Sequence, residues 1–281
     1  MIPFNFQYIK PKTIQEAIEQ YNVFKNQEKK PFYMSGGTEL ITLGRLNVLY
    51  TNAVIDLKGI PDYSSMFFHE QYLYIGGGTP LTTIEDSNAF PLLGQTVSEI
   101  ADRTARNKIT LAGNICAQIF YREAVLPLLI SDSYIGIAGS EGLIYHPINN
   151  IFNEQLQLQD GQFVFAILIE KLYTTLPFVT IKKRRQWYNG YPLVTVAAIK
   201  KDQEIRLAIS GLCAFPFRSL EMEKVLNDKS LSIEERVKES LGFIPGPVLD
   251  DVEGSADYRL FVLKNTMIDI IYELEGDQGG R

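Results

Sequence analysis

Two short stretches carry the residue types that hold a phosphate-bearing ligand. The first is Met34-Ser35-Gly36-Gly37-Thr38-Glu39-Leu40. Adjacent glycines let the backbone turn tightly and bring successive N–H groups to one point. A helix opening at about Glu39 adds its N-terminal amides and the positive end of its dipole. Such a turn can hold a diphosphate without any lysine. The second is Thr110-Leu111-Ala112-Gly113-Asn114-Ile115, which offers a hydroxyl, a bare backbone and an amide side chain. Taken singly, each stretch also reads as a plain strand-to-helix turn.

Other chemistries lack their residues. Gly76-Gly77-Gly78 runs into Thr79-Pro80-Leu81, so the third glycine of the dinucleotide fingerprint GxGxxG is missing. No glycine loop is followed by the lysine of a P-loop. The two histidines, His69 and His146, have neither nucleophile companions nor metal-ligand spacing. The two cysteines, Cys116 and Cys213, form no CxxC pair and are too few for an iron–sulfur cluster, which takes four thiolates. They read as buried small hydrophobes rather than a disulfide. A hydrolase or kinase is therefore disfavoured, and no catalytic residue is nominated.

The formal net charge of -6, without a basic tract long enough to matter, gives no electrostatic reason to bind nucleic acid or an anionic membrane. The opening Met1-Ile2-Pro3-Phe4 lacks the basic and apolar regions of a signal peptide, and no apolar run reaches membrane-span length. The expectation is a cytoplasmic protein. Lys182-Lys183-Arg184-Arg185 is the one dense basic run; it reads as a solvated strand end, or as a patch for an acidic partner or a nicotinamide phosphate.

The elements that must position the two turns follow from periodicity. A helix opens at Thr13, with Glu16 completing a capping box. Strands are expected at 31–34 and 53–57, with a helix over 39–48 between them, giving a small parallel sheet. Then come a strand at 72–75, a helix at 82–87, a longer helix over 90–105, a short helix at 123–130 and a hairpin around 134–145. Strands at 163–169, 178–183, 192–199 and 205–210 precede helices at 219–226 and 257–274. Strands first and helices later is an α+β pattern. The stretch 242–254 reads as a loop, and the tail after Gly276 as frayed.

The order of short motifs resembles a known family. Phe6 to Ala17, Ser35 to Leu40, Ile55-Asp56-Leu57-Lys58, Ile75 to Leu81, Arg106 to Cys116, Pro192 to Ala197 and Asp257-Tyr258-Arg259 follow one another at compatible spacing nearly end to end. They are similar to the FAD-binding (medium) subunits of molybdenum hydroxylases of the xanthine/carbon monoxide dehydrogenase type. The resemblance implies a two-lobed FAD-binding domain of vanillyl-alcohol-oxidase (PCMH) type over 1–165, with lobes of about 1–57 and 58–165. A C-terminal α+β domain over 166–281 would carry a three-stranded antiparallel sheet and helices.

The resemblance also implies roles. The amides of Ser35, Gly36, Gly37, Thr38 and Glu39 would wrap the FAD diphosphate, and Met34 and Leu40 would also belong to the cofactor site. Thr110, Gly113 and Asn114 would meet the ribityl and phosphate part. Ile100 would line the adenine site, and Phe165 would stand against the flavin. One stretch departs from the family. Where members often carry Ala-Ser-Pro and then an Asp, this chain has Ala117-Gln118-Ile119-Phe120-Tyr121-Arg122-Glu123, and Glu123 takes the place of that Asp. Phe120 and Tyr121 could lie near the flavin ring, or serve as core or partner contacts.

The implied function is an electron relay within a heterotrimer. A molybdopterin subunit would oxidise the substrate, an iron–sulfur subunit would carry electrons, and FAD held here would pass them to NAD or a quinone. Two other readings stay open: a self-contained flavin oxidoreductase of the same fold, and a scaffold subunit that has lost FAD.

Overall fold

The computed structural model describes residues 3–185 and 190–276, so the expected frayed tail lies outside them. The first lobe holds β1 (Gln7–Ile9), α1 (Ile14–Asn26), β2 (Pro31–Met34), α2 (Thr38–Arg45) and β3 (Ala53–Asp56). All three strands are parallel, in the order β1-β3-β2, as crossover helices require. Thr13 Oγ1 accepts from Glu16 N at 3.0 Å and caps α1, while the Glu16 carboxylate accepts from Lys12 N rather than Thr13 N. The box therefore closes one residue early. Ala17, Ile18, Tyr21 and Phe24 pack the inner face of α1 against Ala53 and Ile55 of β3. Helix α2 stops at Arg45, short of the expected Val48, because Asn47 turns left-handed at φ 56°.

The second lobe follows with β4 (Met66–His69), β5 (Tyr72–Gly76), α3 (Leu81–Ser87), α4 (Pro91–Ser98), α5 (Arg103–Arg106), α6 (Leu111–Ile115), α7 (Val125–Ile130), β6 (Tyr134–Gly139), β7 (Gly142–Pro147), α8 (Ile148–Ile151), β8 (Phe152–Asn153), β9 (Gln155–Leu156) and β10 (Phe163–Glu170). Its five-stranded antiparallel sheet runs β4-β5-β10-β6-β7. The division expected at residue 165 falls inside β10, which threads between β5 and β6 and belongs to this sheet to its last residue. The helix expected over 90–105 is two helices. Ala101 turns left-handed at φ 48°, and Asp102 caps the second by accepting from Ala105 N at 2.8 Å. Gly76, Gly77 and Gly78 are explained by packing. A Cβ at Gly76 would sit 2.3 Å from the Tyr63 carbonyl, and one at Gly77 would sit 2.8 Å from that of Val164.

The third unit contains β11 (Phe178–Arg184), β12 (Pro192–Lys201), β13 (Glu204–Ser210) and β14 (Phe217–Arg218), with α9 (Leu220–Leu226), α10 (Ile233–Ser240) and α11 (Ala256–Glu275). Its antiparallel sheet has four strands, not three. The two-residue β14 pairs Ile209 with Phe217 and is too short to leave a period in the sequence. Helix α11 buries Leu263, Met267, Ile270 and Ile271 on the sheet. Each such side chain contributes about 1.5–3 kcal/mol of burial. The overall class is α+β, as the sequence implied. No helix is long and apolar enough to cross a membrane among the described residues.

Candidate functional site

The two glycine turns meet. Gly36 lies so close to the 108–110 backbone that a Cβ there would sit 2.0 Å from the Lys108 carbonyl oxygen. Beside it the hydroxyls of Ser35 and Thr110 share a hydrogen bond of 2.7 Å. The Gly37 backbone is left-handed at φ 78°, which swings the chain from β2 into α2. The second stretch is not a loop. Thr110 caps α6, its Oγ1 accepting from Gly113 N at 3.2 Å, so Gly113 stands in the first turn of a short helix. Leu111 N donates to Thr79 O and Ala112 N to Gly77 O, which fix α6 on the second lobe.

Between the turns opens a cavity of about 630 Å³. That volume is in the range of small-molecule and cofactor sites, about 300–1,000 Å³. Met34, Ser35, Gly36, Gly37, Thr38, Glu39 and Leu40 line it from the first lobe, and Thr110 and Gly113 from the second. The other four nominated residues lie elsewhere. Asn114 is buried, and its Oδ1 accepts from Ala124 N at 3.2 Å. Ile100 sits in the core of the second lobe. Phe165 is buried against Tyr63, with ring centroids 5.7 Å apart. Glu123 is buried where the second lobe meets the third unit; its oxygens take a hydrogen bond from Thr195 at 2.6 Å and an ion pair from Lys182 at 2.8 Å. Burial pushes the Glu123 carboxyl up, against the pull of that lysine.

The cavity also uses residues that sequence reasoning did not nominate, among them Tyr33, Tyr63, Cys116, Gln118, Gln162 and Phe163. Cys116 was expected to be a buried hydrophobe. It is exposed, because it ends α6 facing the cavity, whereas Cys213 is buried as expected. Tyr33 stacks on Tyr21 at 5.0 Å and donates to Gly161 O at 3.0 Å, bracing the wall across the lobes. Burial raises the pKa of both Tyr33 and Tyr63, so both phenols stay neutral. Lys58 supplies a cation beside the first turn: its Nζ donates to Ser35 O and to Asp56 Oδ1, each at 2.7 Å. The spacing of Asp56 and Lys58 was visible in the sequence, but its link to Ser35 was not.

The chemistry of the first turn suits an anionic group. The first turn presents bare backbone, two hydroxyls and a nearby ammonium. The one carboxylate on it, that of Glu39, is turned to accept from Gln118 N at 2.9 Å. Elsewhere three of the four residues of the basic run are already engaged, and Lys183 is exposed. Lys182 pairs with Glu123, Arg184 with Glu99, and Arg185 donates to Val252 O. Tyr121 stacks on Tyr191 at 4.5 Å and meets Phe120 at 4.3 Å, which joins the second lobe to the third unit. Among the described residues no cluster of three metal-ligating side chains occurs.

Comparison with known proteins agrees with this geometry. A family model described as the FAD binding domain in molybdopterin dehydrogenase matches residues 4–170. The chain is 25% identical to the glyceraldehyde dehydrogenase medium chain of Sulfolobus acidocaldarius, over 94% of this chain and 96% of that one. It is 19% identical to the nicotinate dehydrogenase FAD-subunit of Eubacterium barkeri, over 97% and 98%. In three dimensions it overlays on a chain of the carbon monoxide dehydrogenase from Hydrogenophaga pseudoflava with a TM-score of 0.87, at 19% identity, covering 98% of this chain and 99% of that one. The chain therefore belongs to the family of FAD-binding domains of molybdopterin dehydrogenases, and FAD is its cofactor.

Proposed function

We infer that this chain is the electron-transfer flavin subunit of a xanthine dehydrogenase-like molybdenum hydroxylase. It works beside an iron–sulfur subunit and a molybdopterin subunit in a heterotrimer. The observation that carries the reading is the junction of Ser35 and Thr110, which makes one cavity from two lobes. FAD supplies the redox chemistry when bound, accepting electrons from clusters on a partner and delivering them to NAD or another acceptor. The residues of this chain bind and orient it. The amides of Ser35 to Glu39 would hold the diphosphate, with Thr110 and Gly113 facing it from the second lobe. Tyr33, Tyr63 and Phe163 give the cavity its apolar walls.

A relay subunit needs no acid–base pair of its own, and the titratable groups on the cavity fit that. Glu39 is engaged with Gln118, and the two tyrosines hold their protons. The test is purification from native cells. A yellow protein with a flavin spectrum, copurifying with an iron–sulfur polypeptide and a molybdenum-containing one, is expected. A flavin-free chain would leave only a scaffold, and a yellow chain that oxidises a substrate unaided would be a self-contained oxidoreductase.

A further inference from the structure

Four arginines are buried among the described residues: Arg106, Arg122, Arg236 and Arg259. Three of them meet a carboxylate. Arg106 pairs with Glu85 at 2.9 Å, Arg236 with Glu275 at 2.6 Å and Arg259 with Asp251 at 2.6 Å. Arg122 pairs with none of the described carboxylates. Its two terminal nitrogens donate to backbone oxygens, to Ala117 O at 3.3 Å and to Glu154 O at 2.6 Å, and its enclosed Nε finds no acceptor. Only 5% of the residue is exposed. An arginine remains charged under such conditions, and a buried charge without a counter-ion is costly.

What would compensate it lies behind one thickness of backbone. Ala117, whose carbonyl holds the guanidinium, is flanked by Cys116 and Gln118, and both line the cavity. The carboxylates of Glu39 and Glu154 act on Arg122 only at longer range, and Glu39 stands on the same wall. Arg122 also lies in the stretch where the sequence departs from the family pattern. Inside a protein a charge is screened less than in water, so it acts across such a wall. We propose that Arg122 is the counter-charge of the cofactor cavity, a buried guanidinium behind Cys116–Gln118 that holds an anionic cofactor without touching it. This rests on the FAD reading above.

The test compares the full-length chain with Arg122→Met and Arg122→Lys, each freed of flavin and then titrated with FAD. The Met variant keeps the unbranched apolar stem and removes the guanidinium with its charge and its hydrogen bonds to Ala117 O and Glu154 O. Its flavin-free form should melt no lower than wild type, since an uncompensated charge has gone. Its Kd for FAD should rise by about tenfold or more, and the melting gain on adding FAD should shrink. The Lys variant should bind FAD close to wild type. The proposal is overturned by a Met variant that binds FAD as tightly as wild type. It is equally overturned if the flavin-free and FAD-loaded Met variants lose the same melting temperature, which marks a packing role. Wild-type chain that takes up no FAD is a different result, and it defeats the FAD reading itself.

Discussion

Ser35 Oγ and Thr110 Oγ1 lie 2.7 Å apart although 75 residues separate them in the chain. The contact ties the turn after β2 to the cap of α6, and with it the first lobe to the second. Thr110 performs two tasks with one oxygen, since it also accepts from Gly113 N.

Thr110→Val should remove both the cap and the tie between lobes. A lost N-cap and a lost hydrogen bond together cost about 1–3 kcal/mol. Urea denaturation of the flavin-free chain measures this, and Thr110→Ser should recover most of it. A Val variant as stable as wild type would mean that the hydroxyl pair contributes nothing to joining the lobes.

Gly36→Ala places a Cβ against the Lys108 carbonyl, a backbone atom that cannot swing aside. The two turns must part, at about 1–3 kcal/mol for an overpacked contact. Flavin content of the purified variant should fall with stability. Gly242→Ala is the control, because its Cβ meets nothing within 4 Å and should change stability by no more than about 0.5 kcal/mol.

Lys182→Met leaves the Glu123 carboxylate enclosed with Thr195 as its remaining partner. Breaking a buried pair from one side costs about 3–5 kcal/mol, whereas removing both charges is often nearly neutral. The double variant Glu123→Gln/Lys182→Met should therefore be more stable than Lys182→Met alone. Simple additivity in chemical denaturation would show that the two side chains are not coupled.

Much of this arrangement was legible in the sequence, for identifiable reasons. The first turn stood out because Gly36-Gly37 follows an apolar strand and precedes a helical period. The parallel first lobe followed from strand–helix–strand order. The helical character of the second stretch leaves no mark in the sequence, because the five residues of α6 are too few to show a period and only its cap, Thr110, signals it. The break at Ala101 carried neither glycine nor proline; Asp102 was the available signal. The insertion of β10 between β5 and β6 pairs residues about 90 positions apart, which local patterns do not record. For the same reason the sequence could not show which packing and hydrogen bonds hold Asn114, Ile100, Phe165 and Glu123. Nor could it show that Arg122 lacks a carboxylate.

Acidity should weaken the first lobe through Asp56. Burial alone would raise this carboxyl, but hydrogen bonds from Lys58 and Tyr8 outweigh it and hold it below its ordinary value of 3.8. A carboxylate whose folded pKa is depressed contributes fully above its unfolded pKa, and that contribution is lost as the pH falls through the folded one. The stability advantage of wild type over Asp56→Asn should thus shrink on acidification from neutral pH to below pH ~4. An advantage that stays constant over that range would show that the Asp56 carboxylate is not stabilised by its Lys58 and Tyr8 contacts.

The most direct test of two turns clasping one cofactor is a crystal structure of the chain with FAD. The account predicts diphosphate oxygens within hydrogen-bond reach of the Ser35 to Glu39 amides, with Thr110 and Gly113 closing the opposite side. A diphosphate held by one turn alone, or seated away from both, would contradict it.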